Sequence, residues 1–385
     1  MLQELTVSHS HKRTTRIAVS ALFFLTGLCF SSWASRIPAI QQKLHLSEGV
    51  LGGMLLALPI GSLLSMPVAG FLVSRYGSRQ VLMIAGLLYA GILPMLGLTE
   101  NSWQLFVSLM LFGFCGNLAN IAVNTQAVLV EVMYGRSIMA SFHGLWSLGG
   151  FTGASIGSGM VAMTVVPYQH FLFIMVLAIA IVGVSIRYVV THDAPAGNEK
   201  TPLFALPDKV LLILGIIAFC SMICEGAMFD WSNVYFRKVV LASEKTVGLG
   251  LTAFMSTMAA FRFIADRLTT RFGFRRMLQL SGALTAGGLL IAVLLPYFST
   301  ALFGFLLVGA GVSSVVPLVY SAAGRSKTMS PGMALASVST IGYFGFLAGP
   351  PLIGFVAEAT SLRISFSIIA LMGTCIAVMS ARVKE

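Results

Sequence analysis

Charged side chains are scarce in this sequence. Only 10% of its 385 residues are Asp, Glu, Lys or Arg, where a soluble domain carries about 25%. Together with a mean hydropathy of +0.90, that deficit excludes an ordinary soluble protein. Acids are scarcest, 13 against 24 Lys and Arg. Cysteines are few and badly placed for cross-linking: Cys29, Cys115, Cys220, Cys224 and Cys375 all lie inside apolar runs, so no disulfide is expected. Cys220 and Cys224 are one turn apart with no histidine in that run, which favours packing over metal binding. No nucleotide-binding loop, metal-ligand cluster or credible catalytic triad is evident. Enzyme function, metals and cofactors are therefore not expected.

Long apolar runs are what the sequence has instead. A helix needs about 20 apolar residues to cross the hydrocarbon. Runs and breaks predict twelve spans near 15–36, 49–73, 80–99, 103–130, 138–164, 170–190, 209–236, 246–268, 275–296, 300–322, 333–357 and 363–382. The first run is too long for a signal-peptide core and is read as a retained helix. The polar stretch 191–208, THDAPAGNEKTPLFALPD, carries three prolines and reads as a linker. It divides an N-terminal six-helix bundle, 1–190, from a C-terminal one, 209–385.

Orientation follows from Lys and Arg. With both termini inside, only Arg36, Lys43, Arg237, Lys238, Lys245 and Arg363 fall outside, and Arg262 falls within a span. The remaining seventeen collect on the inner side, which predicts cytoplasmic termini. The net charge of +11 is then a matter of topology and calls for no nucleic-acid partner.

The two halves repeat at an offset of 196 residues. Arg75-Tyr76-Gly77-Ser78-Arg79 falls on Arg271-Phe272-Gly273-Phe274-Arg275, Gly86 on Gly282, Gly113 on Gly309 and Gly149 on Gly345. Such a repeat in a membrane chain marks a secondary transporter with its site between the halves.

Six plus six spans, a central linker and a basic turn after spans 2 and 8 resemble the major facilitator superfamily. The turn GFLVSRYGSR, Gly70 to Arg79, is similar to the family signature, with Ser74 where an aspartate is usual. The second-half match is FRFIADRLTTRFGFRR, with Phe261 in place of a usual glycine. Stretches such as CEGAMFDWSNVYF and HGLWSLGGFTGA are similar to the YbjJ-type group of bacterial inner-membrane facilitators, near the sugar-permease branch. The resemblance implies an all-α membrane protein of two pseudo-symmetric bundles in a bacterial inner membrane, working by alternating access. It also implies a cytoplasmic gate built from Arg75, Arg79, Arg262, Asp266, Arg267 and Arg271, with Arg262 and Asp266 able to pair at i and i+4. A monomer is expected.

An ionisable group inside a span is a functional candidate. Glu225 and Asp230 on span 7 qualify, and would share one cavity wall only if the helix bends at Gly226. A buried carboxyl without a cation can take up a proton near neutral pH, so both are proton-coupling candidates, with His143 as a relay. Asn117, Asn120 and Asn124 form one stripe on span 4 and suit a wet cavity. Trp33 and Trp231 align at an offset of 198 and are placed to stack on a ring. Trp146, Tyr320 and Tyr343 are further wall candidates; interhelical hydrogen bonding is the competing role for the amides, and interfacial anchoring for Trp33 and Trp231. The acids of span 7 are expected to face the amides of span 4.

Apart from Arg262, expected near the cytoplasmic end, the spans hold no deep cation. That favours a neutral polar solute such as a sugar over an anion. Antiporters of the superfamily it resembles often carry a proline in the span 5 glycine motif; GFTGASIG has none, so the resemblance favours proton symport. Proton-coupled efflux of lipophilic or cationic drugs is the alternative, and a non-transporting membrane sensor or scaffold a third.

Overall fold

A computed structural model describes residues 9–135, 138–191, 208–323, 326 and 331–383. The described chain is helical. The first half contains α1 (His9–Lys43), α2 (Glu48–Leu55), α3 (Ala57–Tyr76), α4 (Ser78–Leu98), α5 (Ser102–Tyr134), α6 (Met139–Ala162) and α7 (Pro167–Ser185). The second contains α8 (Lys209–Lys238), α9 (Leu249–Phe272), α10 (Phe274–Leu294), α11 (Phe298–Val312), α12 (Val315–Ala323), α13 (Pro331–Ala359) and α14 (Leu362–Ser380).

Two pairs are single spans with an interruption. Leu56 separates α2 from α3, and Ser313-Ser314 separates α11 from α12. The fourteen helices therefore make the twelve predicted rods. Ten of these are long and apolar enough to cross a membrane. The other two are α6, diluted by glycine and serine, and α9, whose apolar part is limited to Leu249–Ala265. Most of the predicted linker, 192–207, lies outside the described residues.

The repeat is visible in the packing. α1 lies on α6 as α8 lies on α13; α3 on α5 as α9 on α11; α4 on α7 as α10 on α14. Gly77 and Gly273 share one backbone conformation, φ 81° ψ 150° and φ 82° ψ 157°, which favours glycine. A Cβ on Gly113 would run into the Leu58 carbonyl, and one on Gly309 into that of Phe254, both 196 residues on. Gly61 abuts the Met110 carbonyl. Its counterpart Thr257 instead donates to the Leu306 carbonyl at 2.7 Å. One contact is thus kept by close approach in one lobe and by a hydrogen bond in the other.

Residue Arg36 does not end the first helix, as its position suggested: α1 continues to Lys43 and Arg36 is buried. α13 runs through Pro350 and Pro351 without interruption.

The polar contacts between the lobes lie mainly away from the face that carries the start of α1, the end of α14 and the Gly77 and Gly273 turns. At that far face Arg237 Nη1 donates to the Pro38 carbonyl at 2.6 Å. Lys238 pairs with Glu48 at 2.5 Å, and Asn233 Nδ2 reaches the Ser35 carbonyl at 3.4 Å. Gly52 of α2 and Gly354 of α13 bring those two helices together. Ser158 and Thr252 hydroxyls lie 2.9 Å apart between α6 and α9. Between described residues, no inter-lobe hydrogen bond lies closer to the terminal face than the one at Ser147, described next.

Candidate functional site

Glu225 stands near the middle of α8 and is buried, 6% exposed. Burying a carboxylate needs a partner, and α9 supplies one. Arg262 Nη2 donates to Glu225 Oε1 at 3.2 Å. Arg262 lies ten residues before the end of α9, roughly 15 Å from it at 1.5 Å per residue. Its guanidinium reaches the middle of α8, where Glu225 stands. The expected Arg262–Asp266 pair falls on an aspartate side chain outside the described residues.

The guanidinium has two further partners. Nη1 donates to Ser147 Oγ on α6 at 2.6 Å, across the lobe boundary. Nε reaches the Ser313 carbonyl at 3.4 Å. That carbonyl is free for a sequence reason: a helix would bond it to the N–H four residues on, and position 317 is proline, which has none. The interruption between α11 and α12 thus presents an acceptor to Arg262. Trp146 lies beside the same group, its ring centroid 5.7 Å from the guanidinium carbon.

Aromatic rings continue from there. Phe30 and Phe229 meet edge-to-face at 4.9 Å, Trp146 and Phe229 at 6.0 Å, and Phe229 and Phe254 at 5.5 Å. These rings come from α1, α6, α8 and α9. The centre of the molecule is therefore an ion pair beside an aromatic cluster, with both lobes contributing.

Several expected residues sit elsewhere. α8 runs unbroken through Gly226, and Asp230 does not join Glu225 and its partners. It is half-buried and makes no hydrogen bond or ion pair with a described residue. Asn117 is tied to α3, donating to the Ser62 carbonyl at 3.0 Å and Ser65 Oγ at 2.7 Å. Asn124 donates to Asn120 Oδ1 at 3.0 Å, and Asn120 is exposed. The span 4 amides do not meet the span 7 acids; across the axis from Glu225 and Arg262 stand Ser147 and Trp146 of α6. His143, one turn before Ser147, is exposed and lies edge-on to Phe23 at 5.4 Å.

Trp33 and Trp231 are packed, 1% and 0% exposed, and their indole N–H groups have no hydrogen-bond partner. Neither offers a face to a ring in this state. Tyr320 is half-buried on α12, near enough to Glu225 to interact with its charge. Tyr343 donates from α13 to the Pro59 carbonyl at 3.2 Å and so joins the lobes.

At the terminal face, Arg75, Arg267 and Arg271 are exposed. Arg75 lies over Phe71 and Tyr76, and Arg271 over Phe272. Arg79 Nε donates to the Ile186 carbonyl at 3.1 Å within its own lobe. Between described residues, none of these arginines forms an ion pair.

Sequence reasoning missed Ser147, hidden in a glycine-rich run, and the Ser313 carbonyl, which Pro317 could have signalled. It also missed a buried arginine. Arg36 is 3% exposed, and its Nε donates to His170 Nδ1 on α7 at 3.1 Å.

The sequence model of the Major Facilitator Superfamily matches residues 19–241 and 227–384. An uncharacterised MFS-type transporter of Yersinia pestis is 34% identical over 363 residues, covering 94% of this chain and 93% of that protein. An uncharacterised transporter of Sinorhizobium fredii, y4wD, is 34% identical over 375 residues, 95% and 97% of the two chains. Among solved structures, a bacterial homologue of the human lysosomal transporter Spinster, inward-facing and occupied, superposes with a TM-score of 0.78 at 13% identity, over 98% of this chain and 97% of that one. At that identity the likeness is one of fold.

Proposed function

The chain belongs to the major facilitator superfamily, a family of multi-pass membrane transporters rather than enzymes, and on that premise we propose that it couples protons to a small polar solute by alternating access. The observation that carries this is the contact of Arg262 with Glu225 in its own lobe and with Ser147 in the other. Glu225 is the proton carrier in this proposal. When it is ionised, Arg262 is held between the lobes with its charge balanced. When it takes a proton, that balance is lost and the three partners of Arg262 must rearrange. A proton is thereby coupled to a central polar contact that spans both lobes.

Polar inter-lobe contacts concentrated at the far face, with terminal-face arginines that form no ion pair among the described residues, suit a carrier open towards its termini. With the termini in the cytoplasm of a bacterial cell, as the Lys and Arg distribution favours, this state is inward-facing. His143, Asn120 and Asn124 then line the approach from that side. The preference for a neutral solute rested on the lack of a central cation, and Arg262 removes that ground.

A second proposal is export of lipophilic cations. It is favoured by Asp230, a half-buried carboxylate without a described partner, next in sequence to Phe229 of the aromatic cluster. Proteoliposomes with an internal pH dye separate the two. Solute-driven proton entry that disappears in Glu225→Gln supports the first. Proton exit driven by a lipophilic cation and lost in Asp230→Asn, with Glu225→Gln still active, supports the second.

A further inference from the structure

The ion pair at the centre constrains what can enter it. Arg262 is 14% exposed and Glu225 8% at the side-chain level, so both charges sit where an uncompensated charge is strongly disfavoured. Together they are neutral. Protonating Glu225 leaves Arg262 as a lone cation. A neutral solute arriving with the proton does not repair that, and a cation makes it worse. An anion repairs it. The occupancies that keep this centre neutral are the empty pair, or one proton on Glu225 together with one monoanion on Arg262.

The geometry points to a carboxylate with an apolar or aromatic body as the cargo, bound to Arg262 in place of Glu225 as Glu225 takes the proton. This rests on the proton-coupled transport proposed above and names the substrate class of that site. A guanidinium takes a carboxylate through two parallel N–H bonds. Arg262 Nη2 is the donor now spent on Glu225, while Ser147 and the Ser313 carbonyl keep the side chain in place. The body of the cargo meets Trp146, Phe30 and Phe229, which already pack on one another beside the guanidinium. The proton reaches a Glu225 carboxylate oxygen, the carboxylate leaves the guanidinium, and one anion crosses with one proton without net charge.

Few other ionisable groups bear on the pair. His143 of α6 interacts with Arg262, and Tyr320 of α12 and Cys224 of α8 with Glu225. α14 brings Cys375, which lies against Cys220. The Tyr343 of α13 is bonded to Pro59, Glu358 abuts Gly49 at the far face, and Arg36 of α1 is turned to His170. α11 brings no acid or base.

Three size-matched probes test the inference: benzoate, benzamide and benzylamine, bound to purified full-length protein and followed by isothermal titration and thermal shift. Wild-type affinity for benzoate should rise about tenfold per unit fall in pH, the slope of one linked proton, read above about pH 5.5 so that benzoate stays ionised. Glu225→Gln should bind benzoate at least tenfold more tightly than wild type at neutral pH, with that pH slope gone. Benzamide and benzylamine should bind neither protein. Should Glu225→Gln not fold, the wild-type slope alone decides. Benzoate binding that is absent, independent of pH, or matched by benzamide would overturn the inference. Proton movement driven by a sugar in proteoliposomes, with no benzoate binding, would sink the anion and leave the coupled carrier standing. Benzoate binding without proton movement would sink the coupling itself.

Discussion

Among the described residues two arginines reach into the interior, Arg36 buried and Arg262 partly buried, and they are held differently. Arg36 belongs to one lobe: its Nε donates to His170, and both residues lie in the N-terminal bundle. It has no carboxylate partner among the described residues, and its Nη2 makes no hydrogen bond. Arg262 has a carboxylate from its own lobe, a hydroxyl from the other and a carbonyl freed by Pro317. A charge fixed inside one rigid bundle adds to that bundle's stability or subtracts from it. A charge shared between bundles has a different energy in each arrangement of the lobes, and that is what a coupled carrier requires.

Several substitutions break or sharpen that contrast. Arg262→Ala has the largest expected effect. It strands Glu225, which costs about 3–5 kcal/mol when one partner of a buried pair is removed, and abolishes proton-coupled transport; urea unfolding in detergent and dye-loaded proteoliposomes read the two losses. Glu225→Gln comes next. It should abolish coupling while leaving solute exchange measurable, seen as counterflow without uphill accumulation. Arg36→Met should act on stability alone, with the proton-to-solute ratio unchanged. A changed ratio would mean that both arginines belong to the cycle. Ser147→Ala removes one hydrogen bond to a charged group, worth about 1.5–3 kcal/mol, and should alter the rate of lobe movement more than the fold, as read by exchange kinetics. The smallest effect is expected at the far face. Lys238→Ala removes a partly exposed pair with Glu48, worth about 1 kcal/mol or less, and should shift the resting state slightly towards opening on that side.

Much of the scaffold was legible in the sequence, because it depends on spacing. The twelve rods follow from run lengths. Gly77 and Gly273, or Gly113 and Gly309, recur because two copies of one bundle need the same turns and close approaches. The site was legible only in part. Glu225 stood out as an acid in an apolar run, and Arg262 was noticed, but nothing in their spacing joined the two. They lie 37 residues apart, and only helix packing brings them together. Trp33 and Trp231 satisfied the symmetry expected of a ring clamp and are instead packed. Hydropathy cannot tell an indole facing a cavity from one facing another helix. Of the span 4 amides, Asn117 misled similarly: it is spent on Ser62 and Ser65, which serve its own lobe.

The central claim is that protonation of Glu225 changes how the lobes sit. Spin labels at Arg75→Cys and Arg271→Cys, exposed positions on the terminal face of each lobe, report that distance by double electron–electron resonance in lipid nanodiscs. The account predicts a wild-type distance distribution that changes between acidic and neutral pH. It also predicts a Glu225→Gln distribution that matches the acidic wild type at every pH. Equal pH responses in the two proteins would contradict it.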